Sequence, residues 1–263
     1  MTYVRYVILS LSAFMAVPFI CLAEYPGEAQ AKGFFFTGEA RLIGNGAAWT
    51  WVECDAKGTP LRMGITFTET VLSGLPAESA STGQDDWEHP LPLPAQADAA
   101  PFTHITMNWN PHGHIPPGVY DVPHFDFHFY IIDPAEREQI TCKGADQAKC
   151  FRKPDARYLP AGYILPPGTE FPKMGVHWID PSSPEFNKQP FTRTFIYGSY
   201  DGQIAFLEPM VAKSYLDAKP DIREKVEAPK EIQKHGHYPA GYSLRYDATR
   251  KEYTIALEDL VWR

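Results

Sequence analysis

Polar and aromatic residues alternate without a break from His124 to Tyr130 (His-Phe-Asp-Phe-His-Phe-Tyr). Successive side chains of a β-strand point to opposite faces, so His124, Asp126 and His128 would share one face while the phenylalanines fill the other. Histidines together with a carboxylate are the ligand set of zinc, iron, manganese or copper. The run therefore predicts a metal-binding strand face, with zinc the favoured divalent ion. The alternative is a histidine-rich surface patch that binds no metal.

Strand geometry limits what this face can do alone. Alternate residues lie roughly 6.5–7 Å apart, so two neighbouring side chains can converge on one ion, whereas His124 and His128 are separated by roughly 13 Å. Either a bend brings the two histidines together, or Asp126 joins one of them, or the face holds two ions. In every case other segments must supply further ligands.

Two apolar segments offer the missing ligands. His177 lies in the short run Gly-Val-His-Trp, and Glu208 ends the run Ile-Ala-Phe-Leu-Glu, where a helix is expected to start. The alternatives are a core histidine with its hydrogen bonds satisfied and a carboxylate interacting with the helix macrodipole. We predict that His124, His128, His177 and Glu208 are metal ligands. Asp126 is either a fifth ligand or a residue that orients a ligand. We expect three further residues to support these ligands or line the mouth of the site: His112, His114 and Tyr130.

Short strands and turns must position these residues. Proline (25) and glycine (19) are frequent, and aromatic and β-branched runs such as 48–54 end in Gly or Asp turns, which is typical of hairpins. The polar, proline-rich stretch 73–102 predicts a long ordered loop or an excursion between subdomains. Helical composition is confined to short segments at 133–136, 209–218 and 221–234. The fold class that follows is mainly β, an antiparallel β-barrel or β-sandwich with a few short helices in the second half.

The N-terminal residues have the order of a secretory signal peptide, with Arg5, an apolar run from Val7 to Ile20 and small residues ending at Ala23. Cleavage after Ala23 would leave a single β-rich domain over 24–263 in the periplasm or outside the cell. An N-terminal membrane anchor is the alternative. The net charge of −8 argues against nucleic acid as a partner. We expect a small-molecule partner or self-association, and no membrane contact after cleavage.

Three cysteines remain after that cleavage. Cys142 and Cys150 bracket a short polar loop, and an oxidising compartment permits disulfides, so we predict that these two are paired. Cys54 is then left over. It is either a buried thiol, or a sulfur ligand, or an intermolecular crosslink.

Several motifs resemble those of a family of uncharacterised secreted bacterial proteins. They are His-Gly-His-x-Pro-x-Gly-x-Tyr from His112, Pro-His-Phe-Asp-x-His-Phe-Tyr from Pro123, Met-Gly-x-His-Trp at 174–178 and Phe-Leu-Glu-Pro-Met at 206–210. The resemblance covers most of the mature chain and implies a shared fold and site, with no established activity. Gly118 and His124 also have the spacing of the first motif of the cupins, which are metal-binding β-barrels. Asp126 replaces the second cupin histidine, and the second cupin motif is not matched cleanly around His177.

The sequence predicts only a general class of function, that of an exported metal-binding β protein. If it is an enzyme, the metal would activate water or polarise a small substrate. The rival is a non-catalytic protein that binds a metal or small ligand, or whose metal is structural. Coordination separates the two, because a catalytic ion keeps an open position whereas a structural ion is fully occupied by protein ligands.

Overall fold

The computed structural model describes residues 33–78 and 87–263, which are folded mainly as antiparallel β-sheet. All of these residues belong to one compact unit. The strands in chain order are β1 (Phe34–Thr37), β2 (Arg41–Ile43), β3 (Gly46–Cys54), β4 (Pro60–Thr68), β5 (Trp87–Pro92), β6 (His104–Asn110), β7 (His124–Tyr130), β8 (Glu170–Phe171), β9 (Gly175–Trp178), β10 (Arg193–Tyr200), β11 (Gln203–Ala212), β12 (Asp221–Lys225), β13 (His237–Tyr238), β14 (Gly241–Asp247), β15 (Glu252–Glu258) and β16 (Val261–Trp262).

Two large sheets are built from these strands. The first has the order β1-β3-β4-β15-β14-β12, with β2 beside β3, and the second has the order β5-β6-β7-β11-β10-β9-β8. Strands β13 and β16 form a separate small pair. In the second sheet β7 has β6 on one side and β11 on the other, so it is a central strand whose neighbours fix the surroundings of its side chains.

The inner faces of the two sheets pack against each other as a sandwich. Phe67 of β4 lies 6.3 Å from Phe125 and 6.1 Å from Phe127 of β7, measured between ring centroids, and all three rings are fully buried. Burying each such side chain contributes about 1.5–3 kcal/mol. The phenylalanines therefore hold β7 in the sheet, and its polar residues necessarily point to the opposite face.

That opposite face is covered as well. His124, Asp126 and His128 are at most 3% exposed. Tyr120 from the loop before β7 and Phe191 from the loop before β10 lie over this face, with ring centroids 4.9 Å apart. The polar face is therefore an enclosed layer, so the alternative of a surface patch is wrong.

The helices are α1 (Pro134–Arg137), α2 (Gln147–Cys150) and α3 (Lys213–Asp217), all in the second half as predicted. Asp133 precedes α1 at the expected N-cap position, although its side chain makes no capping hydrogen bond. Along the described stretches, none of the helices has the length and apolar character that a membrane crossing requires.

Two helix predictions need correction. The segment 209–218 is strand up to Ala212, because its side chains are buried on both faces of the sheet, and only 213–217 is helical. The segment 221–234 contains the edge strand β12, whose burial alternates from residue to residue, and it contains no helix. Glu208 consequently lies inside β11 and not at a helix start.

The stretch 73–102 is a loop only in part. Residues 87–92 form β5, which pairs with β6 along its whole length and buries Leu91 in the core. Trp109 of β6 donates from Nε1 to the carbonyl of Pro76 at 2.8 Å and so anchors the chain before β5. The predicted signal peptide, residues 1–23, lies outside the described residues.

The cysteine predictions are confirmed. Cys142 and Cys150 form a disulfide. Cys54 is a buried thiol, 1% exposed, and its pKa is raised mainly by burial and to a smaller extent by the charge of Asp55. The disulfide closes the loop that leads into α2, beside strands β8 and β9.

Candidate metal centre

The strand register brings polar side chains of β6, β7 and β11 together on one face of the sheet. On one side of β7, β6 presents Asn110 to His124, Asn108 to Asp126 and Thr106 to His128. On the other side, β11 presents Met210 to Asp126 and Ala212 to His124, and the same register places Glu208 opposite His128. Glu208 thus reaches β7 through sheet pairing, with no need for a bend in the strand.

One group of potential ligands comprises His128, Glu208 and His177. The Nε2 atom of His128 lies 3.4 Å from Oε1 of Glu208, and Nε2 of His177 lies 3.7 Å from Oε2. His177 is carried by β9, which pairs with β10 and is separated from β7 by two strands, β11 and β10. None of the three residues is more than 8% exposed.

A second group comprises His114, His124 and Asp126. The Nε2 atom of His124 lies 3.2 Å from Oδ1 of Asp126, and Nε2 of His114 lies 3.4 Å from Oδ2. In each group the potential ligand atoms lie within 4.8 Å of one another. The two outer histidines of β7 are therefore in separate groups, with Asp126 joined to His124.

The four histidine rings are all oriented through Nδ1. It contacts the carbonyl oxygen of Ile115 at 2.7 Å for His114 and that of Val122 at 2.7 Å for His124. The same atom contacts the side-chain oxygen of Asn108 at 3.2 Å for His128 and the carbonyl of Thr169 at 2.8 Å for His177. Carbonyl oxygens only accept, so each Nδ1 donates, and a neutral ring then has its lone pair at Nε2. This arrangement is usual for metal-bound histidines.

The Nε2 lone pairs point toward carboxylate oxygens, which are also acceptors. Although Nε2 of His124 and Oδ1 of Asp126 are only 3.2 Å apart, neither makes a hydrogen bond, and both atoms are buried. Nε2 of His128 is likewise buried without a hydrogen bond. Buried acceptors that face each other are unfavourable, so a proton or a metal cation is expected between them. For metal–ligand bonds of about 2.0–2.1 Å, tetrahedral ligands are separated by about 3.3–3.4 Å, close to the separations seen here.

The protonation states suit cation binding. Burial lowers the pKa of His128 well below its ordinary value, and burial lowers the pKa of His177 to about 4. Burial alone would raise the pKa of Asp126, but the rings of His124 and His114 outweigh it and hold this pKa well below the ordinary range. At neutral pH the face therefore offers neutral His128 and His177 together with an ionised Asp126.

The ring of Phe206 packs against both His128 and His177. Its centroid lies 4.8 Å from that of His128 and 5.2 Å from that of His177, and the two histidine centroids are 6.3 Å apart. The ring lies across Gly198 of β10, where a Cβ atom would come within 2.0 Å of it. Gly198 is thus required for the position of the ring that supports both histidines.

A cavity of about 80 Å³ adjoins both groups. His128, His177 and Glu208 all line it, whereas only His114 and Asp126 of the second group do. Its wall is otherwise mostly apolar and includes Ile115, Phe171, Met174, Ile179, Ile196 and Met210. The first group therefore faces open space with all three of its members.

The remaining predicted site residues lie farther away. His112 is exposed, with Nε2 3.7 Å from Oε2 of Glu78, and it joins neither group. Tyr130 is fully buried and stacks on His128 with ring centroids 5.6 Å apart, so it supports that ring without belonging to a group. His114, which we expected at the mouth, belongs to the second group itself. The His-Gly-His turn was the sequence signal for it, but spacing could not tell which histidine turns inward.

Comparison with known proteins adds one family match. Residues 55–109 match the model of the family described as TTHB210-like: Hypothetical protein TTHB210. This segment runs from the turn before β4 through β6, so it includes neither β7 nor any histidine or carboxylate of the two groups. The chain matches no curated protein and no solved structure.

Proposed function

We propose that this protein binds two transition-metal ions, zinc in the first instance, one at His128, His177 and Glu208 and one at His114, His124 and Asp126. The observation that carries the proposal is the convergence of two Nδ1-anchored histidines and one carboxylate in each group, with potential ligand atoms that lie within 4.8 Å of one another. Two histidines and one carboxylate are a common zinc set, and calcium prefers oxygen ligands alone.

The coordination favours a reactive ion over a purely structural one. Each group supplies three protein ligands, which leaves a fourth tetrahedral position, and at the first group that position faces the cavity. A zinc ion in this state lowers the pKa of a bound water to about 7 and makes it a nucleophile at neutral pH. The activity that fits is metal-assisted attack of water on a small substrate, and a non-catalytic metal carrier is the rival.

We also propose that the protein works outside the cytoplasm, in the periplasm or secreted. The Cys142–Cys150 disulfide supports this location, because such bonds persist in oxidising compartments. Self-association remains a prediction from the sequence.

Elemental analysis of purified, zinc-dialysed protein tests the central claim. We expect two zinc ions per chain in the wild type, one in His128→Ala and none in the double variant His124→Ala/His128→Ala. The matched control is His237→Ala, which removes a buried histidine of β13 that packs on Trp262 away from both groups and should leave the zinc content unchanged. Equal zinc content in the wild type and the double variant would refute the proposal.

A further inference from the structure

The cavity beside the two groups has a chemistry of its own. Besides the two metal-binding groups, its described lining includes no lysine, arginine or further carboxylate. The protein contribution to its charge is therefore negative, from Asp126 and Glu208. Two divalent ions would reverse this sign and leave two positive charges in excess.

An excess of buried positive charge is costly in an apolar surrounding, and an anion that enters the cavity relieves it. A bound hydroxide relieves only part of this excess. The empty position at the His128, His177 and Glu208 group is therefore suited to an anionic ligand atom. The second ion contributes through its charge, because His124 does not line the cavity.

Hydrogen-bond donors of the lining are already engaged. The amide of Asn110 donates to Oδ2 of Asp126 at 2.8 Å, and the hydroxyl of Thr169 donates to the carbonyl of Pro166 at 2.9 Å. The hydroxyl of Tyr120 donates to Oε1 of Glu185 at 3.1 Å. Phosphates need several donors around them, and among these three side chains only Asn110, through its second N–H, can donate without losing an internal bond.

The cavity also sets the size of what it holds. Its volume of about 80 Å³ is far below the roughly 300–1,000 Å³ of pockets for drug-sized ligands. A molecule of a few carbon atoms fits, with its apolar part against Ile179, Ile196 and Met210.

We propose that the metal-loaded cavity binds a short-chain carboxylate, whose oxygen occupies the open position of the ion at His128, His177 and Glu208 and whose alkyl chain packs against the apolar wall. The proposal rests on the proposed metal binding and adds the class of its ligand. Binding should require the metal, because without it the two carboxylates would repel an anion.

Cobalt-loaded protein provides a direct readout, since the visible absorption of tetrahedral cobalt changes when a ligand enters its coordination sphere. Titration with butanoate should shift these bands, and acetate should bind about tenfold more weakly because it buries two fewer methylene groups. Butanamide, the neutral analogue of the same shape, and inorganic phosphate should leave the bands unchanged at concentrations that saturate with butanoate. Butanamide binding as tightly as butanoate, or phosphate binding more tightly, would overturn the inference.

A variant of the wall tests the position of the chain. Ile179→Ala enlarges the cavity beyond the ligand groups, so it should raise the affinity for hexanoate relative to butanoate while cobalt content stays at two ions per chain, which also verifies folding. An unchanged preference would contradict the placement. Cobalt content distinguishes the two possible negative results. If the protein is loaded with cobalt but does not bind butanoate, only this inference is refuted. If the protein takes up no metal, both the proposed function and this inference are refuted.

Discussion

Replacing Asp126 by Asn should destabilise the protein, and the loss should be larger with zinc than without it. The side chain keeps its shape, and its oxygen can still accept from Asn110, now 2.8 Å from Oδ2. The new amide nitrogen takes the place of Oδ1, 3.2 Å from Nε2 of His124. Two facing acceptors thereby become a donor and an acceptor, and a buried charge disappears.

In metal-free protein this exchange should destabilise the fold. The histidines hold the pKa of Asp126 well below its ordinary value, so the ionised carboxylate stabilises the folded state at neutral pH. We expect a loss of about 1–2 kcal/mol in the free energy of unfolding, or a fall in Tm of about 2–8 °C for a chain of this size.

With zinc the loss of stability is larger. Free zinc at one hundred times its Kd stabilises the wild type by about 2.7 kcal/mol per site, and Asp126→Asn should lose this contribution at its own group. Thermal unfolding monitored by circular dichroism, with EDTA and with zinc, measures both effects. Zinc titration should find one site in the variant and two in the wild type.

Glu258→Gln is the matched control, because Glu258 is a buried carboxylate of the other sheet that already accepts from Ser243 at 2.6 Å. It should lose stability by the same amount with and without zinc. The reasoning on the second group would be refuted if Asp126→Asn lost no more stability with zinc than it loses in EDTA.

Two further variants address the surroundings of the groups. Gly198→Ala places a Cβ within 2.0 Å of the Phe206 ring, so it should lower the free energy of unfolding by about 1–3 kcal/mol and weaken zinc binding at His128. Adding Phe206→Leu should restore both stability and zinc affinity. Wild-type zinc affinity in the single variant would show that the ring does not set the spacing of the histidines. Burial, and to a smaller extent the charge of Arg137, lowers the pKa of His104 to about 4, below the unfolded value of about 6.5. The stability that neutral His104 contributes is therefore present above pH 6.5 and is lost as the pH falls toward 4. In metal-free protein the fall in Tm from pH 7 to 4.5 should be smaller for His104→Asn, and an equal fall would place the acid sensitivity elsewhere.

The fold class and the sidedness of β7 could be predicted from sequence because both depend on local pattern. Phenylalanine at every second position fixes which face of 124–130 is buried in the core, and the short loop between Cys142 and Cys150 makes their pairing geometrically simple. Strand spacing also identified the need for ligands from other segments.

The element type and the partner of Glu208 could not be predicted from local pattern. Pro209 after an apolar run indicates a helix start, but burial of both faces of 206–212 decides in favour of strand. Its place opposite His128 depends on the register of β11 against β7, which joins residues far apart in the chain. For His114, the inward turn depends on the packing of the loop 111–123 over the sheet, through contacts such as the one between its ring and that of Tyr120.

The two faces of β7 make opposite contributions to stability. The core-facing phenylalanines bury large apolar surfaces, whereas the other face holds ionised Asp126 and ring nitrogens that lack hydrogen bonds. Replacing that polar face by apolar residues would stabilise the fold, because buried charged groups are costly even when paired. A strand whose core face offsets this loss of stability is suited to hold a binding site. A metal ion would compensate for the free energy that burial of the polar face costs. Metal binding is then thermodynamically coupled to the packing of this sheet. Any change that disturbs the loops covering β7 should therefore alter the zinc affinity.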